Sequence, residues 1–426
     1  LLMAEKNEDF TLKVNQYKRN LERLYELILE GKVISASSVK FGGVAETISK
    51  MAFGNKIGVE FFNLSKEELF GLNYGTLVLE VNQEVNINKE FKGCAYKAIG
   101  YTTEEETITS KEFDLNLKLN ILENAYEKNL SKVFKIKTND KNEKVKEVLY
   151  KESNNKSPVI KIAKPKVIIP VFPGTNCEYD CEREFKKANA ETKTLVFRNY
   201  SKEAFVESIE NLEKQIRESQ IIMLPGGFSA GDEPDGSGKF IATVFRNEKI
   251  KDAVMDLLKN RDGLILGICN GFQALIKLGL VPYGEIIDIE EEMATLTYNE
   301  INRHMSSIIQ TKVVSKKSPW FNKVNLGDIH NVAISHGEGR FVAPEKLIKE
   351  LIKNGQVATQ YVDNKGNISL NMPFNPNGSM LGIEGITSPD GRVLGKMGHS
   401  ERIGDNLYKN IPGNFNQKIF ESGVEY

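Results

Sequence analysis

Residues 263–275 read Gly263-Leu264-Ile265-Leu266-Gly267-Ile268-Cys269-Asn270-Gly271-Phe272-Gln273-Ala274-Leu275. An apolar run ends in Gly-x-Cys-x-Gly, and Leu275, Ile276 and Leu278 continue with helical spacing. That is the form of a nucleophile elbow, in which a buried strand delivers the nucleophile to a tight, strained turn before a helix. Gly267 and Gly271 let the helix pack closely on the strand. A thiol at that turn meets the positive end of the helix dipole, which lowers its pKa. The competing reading is a buried structural cysteine at an ordinary strand-to-helix junction. Partners elsewhere in the chain have to decide between the two.

The sequence on either side of the elbow sets the fold. Residues 167–172 are apolar enough for a strand buried on both faces. Pro173-Gly174-Thr175-Asn176 turns it into a helix from Cys177 to about Asn189. A strand at 194–197, a helix at 202–218 and a strand at 220–224 follow. The last of these ends in Pro225-Gly226-Gly227-Phe228-Ser229. A helix at 250–259 then leads into the elbow strand. This alternation predicts an α/β fold with a doubly wound, mostly parallel, flavodoxin-like sheet and a site at the strand C-termini. Residues 295–298, 307–314 and 333–342 read as antiparallel strands. The end of the chain holds a glycine-flanked apolar stretch at 382–386, then Gly398-His399-Ser400-Glu401-Arg402.

Upstream, residues 11–30 carry apolar side chains with helical spacing. Strands are expected at 32–39, 59–62 and 76–81, with helices at 44–53 and 115–130. Together these form a smaller α+β module. Gly42-Gly43, at the start of a predicted helix, has the form of a phosphate cradle, although a plain strand-to-helix turn is the preferred reading. Residues 139–166 are rich in Lys, Glu, Asn and Ser and read as a linker lying over the surface. The expected organisation is 1–138, an α+β subdomain; 139–166, a linker; and 167–426, the α/β domain.

Composition narrows the function. With 57 basic and 58 acidic residues, the 426-residue chain has a net charge of −1, which gives no footprint for nucleic acid or an acidic membrane. No apolar run reaches the ~20 residues of a membrane span. Four cysteines in so long a chain suggest a reducing, cytoplasmic setting. The chain does not open on Met and soon enters helical sequence, so it is expected to be part of a longer protein.

A thiol nucleophile needs a base, a group to orient the base, and donors for the oxyanion. His399 has Glu401 two residues on, and residues two apart face the same way in extended chain. His336, with Glu338 two residues on, is the rival base, and spacing alone leaves the two tied. The backbone N–H of Asn270 follows the nucleophile, and Gly226-Gly227 at another strand end can bring a second donor close. Residues 231–239 resemble a phosphate loop but lack its spacing. Cys177 and Cys181 share a helix face, but no second pair has zinc-ligand spacing, so no metal site is expected.

With these residues in view, the second module resembles the glutaminase domain of the phosphoribosylformylglycinamidine synthase family, a branch of the class I (Cys-His-Glu) glutamine amidotransferases. The resemblance rests on Phe172-Pro-Gly-Thr-Asn-Cys-Glu-Tyr-Asp180, Pro225-Gly-Gly-Phe-Ser229 with Gly231-Asp232, and Gly267-Ile-Cys-Asn-Gly-Phe-Gln273. It extends through His336-Gly-Glu-Gly-Arg-Phe341 and Gly398-His-Ser-Glu-Arg402. It implies Cys269 as nucleophile with His399 and Glu401 as partners, and Gly227 and Asn270 as oxyanion donors. Gln273, Phe228 and Ser229 would lie along the glutamine. The family often has Pro where this chain has Ser400. The insert at 233–238 and Asn302-Arg303-His304 look like the large single-chain subgroup. Ser35 to Gly43 and Lys50 to Asn55 resemble the last part of the synthetase half. The implied partners are glutamine and the rest of the synthetase chain. The implied cofactors of the whole enzyme are ATP and Mg, with none in this part. A Cys-dependent hydrolase or peptidase of the same fold, or a chain inactive in isolation, are the alternatives.

Overall fold

Ile222, Met223 and Leu224 on one strand and Leu264, Ile265 and Leu266 on the next are each no more than 1% exposed. Runs buried on both faces are what a parallel sheet covered by helices requires. Each such side chain contributes about 1.5–3 kcal/mol by leaving water. A computed structural model, describing residues 1–141, 145–153, 157–231, 237–408 and 411–426, shows how that sheet is built.

The chain forms two compact units, Leu1–Ile136 and Lys137–Tyr426. The second holds a nine-stranded sheet: β1 (Lys166–Val171), β2 (Glu191–Val196), β3 (Ile221–Leu224), β4 (Leu264–Ile268), β5 (Met305–Val313), β6 (Ile329–His336), β7 (Val357–Val362), β8 (Ile383–Thr387) and β9 (Val393–Lys396). Their order across the sheet is β6-β5-β7-β8-β9-β4-β3-β1-β2. From β9 to β2 every pairing is parallel, and from β6 to β9 every pairing is antiparallel. The helices α1 (Glu178–Lys187), α2 (Lys202–Glu218), α3 (Lys239–Phe245), α4 (Glu248–Lys259) and α5 (Asn270–Leu278) cover it. The α2 helix starts where the Ser201 hydroxyl accepts from the Ala204 N–H (3.1 Å). This is the doubly wound α/β fold expected from the sequence. Among the described residues, no helix is long and apolar enough to cross a membrane.

The strands β7 and β9, α3, and the helices Glu345–Lys353 and Ile419–Glu425 that also pack on this core were not expected from the sequence. The predicted strand at 333–342 is two strands. It breaks at Gly337, after which Glu338–Val342 pairs with Thr295–Tyr298 in a separate two-stranded sheet. The stretch before β1 lies along the second unit. There the Lys141 N–H donates to Asn371 Oδ1 (2.7 Å), the Tyr150 N–H donates to Val314 O (2.9 Å), and Val148 packs on the core.

The first unit is α+β. Val33–Ser38 pairs with Leu77–Val81, and a four-stranded sheet comprises Gly58–Phe61, Gly100–Thr103, Thr107–Ser110 and Leu115–Lys118. The helix expected over 115–130 is thus a strand to Lys118 and a helix only from Leu119 to Lys128. Gly42 and Gly43 open the helix Gly43–Asn55, but the Gly42 N–H donates to Glu46 Oε2 (2.8 Å). A carboxylate of the chain itself occupies the place an incoming phosphate would need, so the cradle does not fit an anion as it stands. Asp232 and residues 233–236, which belong to the matched motif and to the insert, lie outside the described residues.

Candidate active site

Three neighbouring parallel strands, β9, β4 and β3, end on one edge of the sheet, where α/β proteins carry their ligands. Cys269 follows β4, Pro225-Gly226-Gly227 follows β3, and His399 lies three residues past β9. Cys269 has φ 51° and ψ −105°, a conformation that non-glycine residues rarely adopt, and it caps the N-terminus of α5. This is the strained elbow expected from the sequence. Its N–H donates to Lys396 O (2.9 Å), which ties it to β9, and its thiol donates to Ser335 O at 3.7 Å. Gly271 is required at the start of α5, since a Cβ there would lie 2.0 Å from Leu224 O.

His399 is 1% exposed and Glu401 is fully buried. The imidazole Nδ1 lies 2.6 Å from Glu401 Oε1, so the carboxylate fixes the tautomer that leaves Nε2 as the basic nitrogen. His399 Nε2 has no hydrogen-bond partner among the described residues. Burial raises the pKa of Glu401, but the adjoining His399, its own backbone N–H and Arg402 outweigh this and hold it below the usual carboxylate range. Three hydrogen bonds to the backbone set the loop. The His399 N–H donates to Ala333 O (2.8 Å), and Arg183 Nη2 on α1 donates to Glu401 O (2.8 Å) and Ile403 O (3.1 Å). Ala333 and Ser335 lie two apart on β6, so one strand touches both His399 and the Cys269 thiol.

His336, the rival base, is differently placed. It is fully buried, and Nδ1 pairs with Asn299 Oδ1 (3.2 Å) rather than with a carboxylate. Burial, with His399 and His304 adding to it, pushes its pKa down to about 3. The Glu338 carboxylate instead accepts from the Ser237 hydroxyl and lies 3.6 Å from Lys277 Nζ. The chain breaks at Gly337, so the two-residue rule that would face Glu338 toward His336 does not apply. Among the described residues, His399 and not His336 has a carboxylate at hydrogen-bond distance.

Gly227 has φ 139°, and a Cβ there would lie 2.7 Å from Gly174 O. Among the described residues neither its N–H nor that of Asn270 donates a hydrogen bond to the chain. Ser229 is buried, its N–H reaches Asn270 Oδ1 at 3.4 Å, and its hydroxyl has no partner among the described residues. Phe228 is half-buried and tilts against His304, with ring centroids 6.2 Å apart. Gln273 is 1% exposed; its amide donates to Glu338 O (2.6 Å) and accepts from Asn270 Nδ2 (2.8 Å). It therefore braces α5 against the strand beginning at Glu338.

Cys177, which the sequence offered only as a neighbour of Cys181 on one helix face, lies in this cluster. Its Sγ is 3.9 Å from His399 Nδ1 and accepts from Arg402 Nη2 (3.2 Å). Burial and the nearby Glu401 push its pKa up to about 12. Cys177 Sγ, His399 Nδ1 and a Glu401 oxygen lie within 4.8 Å of one another. The thiol donates to Asn176 Oδ1 (3.1 Å) and meets a guanidinium, and the imidazole Nδ1 is taken by its carboxylate, so the three groups are already engaged in hydrogen bonds of the chain's own. Spacing gave no sign of Cys177 here, because it lies 222 residues from His399. Its position directly after a strand-end turn, as for Cys269, was the available signal.

Comparison with known proteins gives the family. Residues 164–426 match the family of CobB/CobQ-like glutamine amidotransferase domains. The phosphoribosylformylglycinamidine synthase subunit PurQ of Methanococcus maripaludis is 37% identical over 242 residues, 56% of this chain and 82% of that protein. The same subunit of Aquifex aeolicus is 30% identical over 242 residues, 57% of this chain and 92% of that protein. The solved structure of PurLQS from Thermotoga maritima aligns with 62% of this chain and 99% of its own, at a TM-score of 0.45 and 26% identity. The chain belongs to the CobB/CobQ-like glutamine amidotransferases, within the phosphoribosylformylglycinamidine synthase family.

Proposed function

We propose that residues 167–426 act as the glutaminase domain of a phosphoribosylformylglycinamidine synthase and hydrolyse glutamine through a thioester on Cys269. The observation that carries this is the buried His399–Glu401 pair beside a strained cysteine elbow, with undonated N–H groups on both sides of it. His399 Nε2 takes the thiol proton, and the thiolate attacks the side-chain amide carbon of glutamine. The oxyanion accepts from the N–H groups of Gly227 and Asn270, each worth roughly 10²–10³ in rate. His399 returns its proton to the amide nitrogen, the C–N bond breaks, and ammonia leaves. Water, deprotonated by His399, attacks the thioester; glutamate departs and the thiol reforms. Phe228 and Ser229 line the approach, and Gln273 holds the elbow helix in register.

The ammonia then serves the ATP-dependent conversion of formylglycinamide ribonucleotide to formylglycinamidine ribonucleotide in purine biosynthesis. The PurQ kinship supports this destination. Residues 1–138 are read as a synthetase-like subdomain and the ATP-consuming step as work of the remaining synthetase machinery. The test is glutamate release by the chain, assayed with that machinery present. Cys269→Ala abolishes release if the reading is right, and release that survives the substitution rules it out.

A further inference from the structure

We propose that the buried Lys396–Glu384 ion pair is the positioning device for His399, acting by clamping the residues on either side of it. This rests on the reading of His399 as the base of Cys269. Lys396 and Glu384 are both fully buried in their side chains, with Nζ 3.2 Å from Oε1. Lys396 Nζ also donates to Gly398 O (2.7 Å) and Ser400 Oγ (2.9 Å), so all three ammonium protons are used. Glu384 Oε1 accepts in turn from the Gly398 N–H (2.7 Å), and the Thr359 hydroxyl donates to its other oxygen. The residue before His399 is thus held by its N–H and its carbonyl, and the residue after it by its hydroxyl. The Ser400 hydroxyl donates onward to Gln417 Oε1, and Gln417 Nε2 donates to Thr311 Oγ1 (3.2 Å) on β5.

Lys396 has a second connection. Its carbonyl accepts the Cys269 N–H, so one residue holds the nucleophile through its backbone and the base through its side chain. Two charges taken out of water are a poor way to gain stability, because their desolvation offsets their attraction. What they supply is direction: three donors and two acceptors that leave the loop one arrangement. A rigid support of this kind is what a catalytic imidazole needs, since a displacement of ~1 Å costs about 10²-fold in rate.

The test compares Lys396→Met, the paired Lys396→Met/Glu384→Gln, and Ser400→Ala for kcat, KM and Tm in glutamine hydrolysis. The single variant leaves a buried carboxylate alone and is expected to lose Tm. The paired variant removes both charges and is expected to recover Tm while kcat stays about 10- to 100-fold down with KM nearly unchanged. Ser400→Ala, which deletes one hydroxyl and is the least disruptive, is expected to lower kcat about threefold or more at constant KM and Tm. If kcat returns with Tm in the paired variant, or Ser400→Ala keeps full kcat, the pair is merely structural and the proposal falls. If the paired variant does not fold, Ser400→Ala decides. A wild-type chain that does not hydrolyse glutamine overturns the glutaminase reading instead. The positioning claim is then read from the iodoacetamide alkylation rate of Cys269, which needs the imidazole but no glutamine. That rate falls in both variants if the claim holds and is unchanged if it fails.

Discussion

Glu401→Gln keeps the shape of the site and removes one charge. In the folded chain the Glu401 carboxylate is buried 2.6 Å from His399 Nδ1. In the proposed reaction the imidazole takes the thiol proton, and its positive charge then forms about 4 Å from the centre of that carboxylate, an attraction of about 4 kcal/mol at an effective dielectric of ~20. At ~1.4 kcal/mol per tenfold, losing it corresponds to about 10³ in rate. The amide also allows the wrong imidazole tautomer, which pushes the loss in the same direction. The effect falls on kcat, because Glu401 lies behind the imidazole and touches no substrate. The assay is steady-state glutamate release, with circular dichroism and Tm as controls for folding. A folded Glu401→Gln variant with less than about a tenfold loss in kcat would refute the role given to the carboxylate.

Two other outcomes follow from the geometry. His336 has its pKa pushed down to about 3 from 6.5 by burial, so between those values the unfolded chain binds a proton that the folded chain does not. Stability is therefore complete above 6.5 and falls as pH drops through that window, by up to ~1.4 kcal/mol per pH unit. Urea midpoints at pH 6 and pH 5 should fall less steeply in His336→Asn, and an unchanged slope would contradict the assignment. Gly227→Ala forces a side chain where φ is 139° and a Cβ would lie 2.7 Å from Gly174 O. The turn has to move its N–H, and kcat should drop about 10²–10³. A folded variant with normal kcat would remove Gly227 as an oxyanion donor.

Much of the sheet was legible because buried parallel strands announce themselves as apolar runs, as at β1, β3 and β4. The strand β9 did not: Val393-Leu394-Gly395-Lys396 is short, half of it is Gly and Lys, and it is a strand only because its neighbours bury it. Leu115-Asn116-Leu117-Lys118 alternates with period two, but the apolar residues that follow continue in helical spacing, and the two patterns merge without a break signal. Gly337 was such a signal, and it separates His336 from Glu338 onto different sheets. That break is why His-x-Glu spacing gave a tie: spacing does not show that Glu401 reaches its histidine while Glu338 turns away to Ser237. The cysteine elbow was readable from its flanking glycines. Cys177, Arg183, Glu384 and Lys396 were not, since they join the site through the sheet from distant parts of the chain.

The most direct measurement of the central claim is covalent labelling. The chain is treated with an electrophilic glutamine analogue such as a diazoketone, and the adduct is located by peptide mass spectrometry. Cys269 sits in the strained elbow beside His399, whereas the Cys177 thiol is pushed up to about 12 and complete burial raises Cys181 well above the usual thiol range. The account predicts a single adduct on Cys269, blocked by glutamine and formed far more slowly in His399→Ala. An adduct on Cys177 or Cys181, or labelling of Cys269 indifferent to glutamine and to His399, would contradict it.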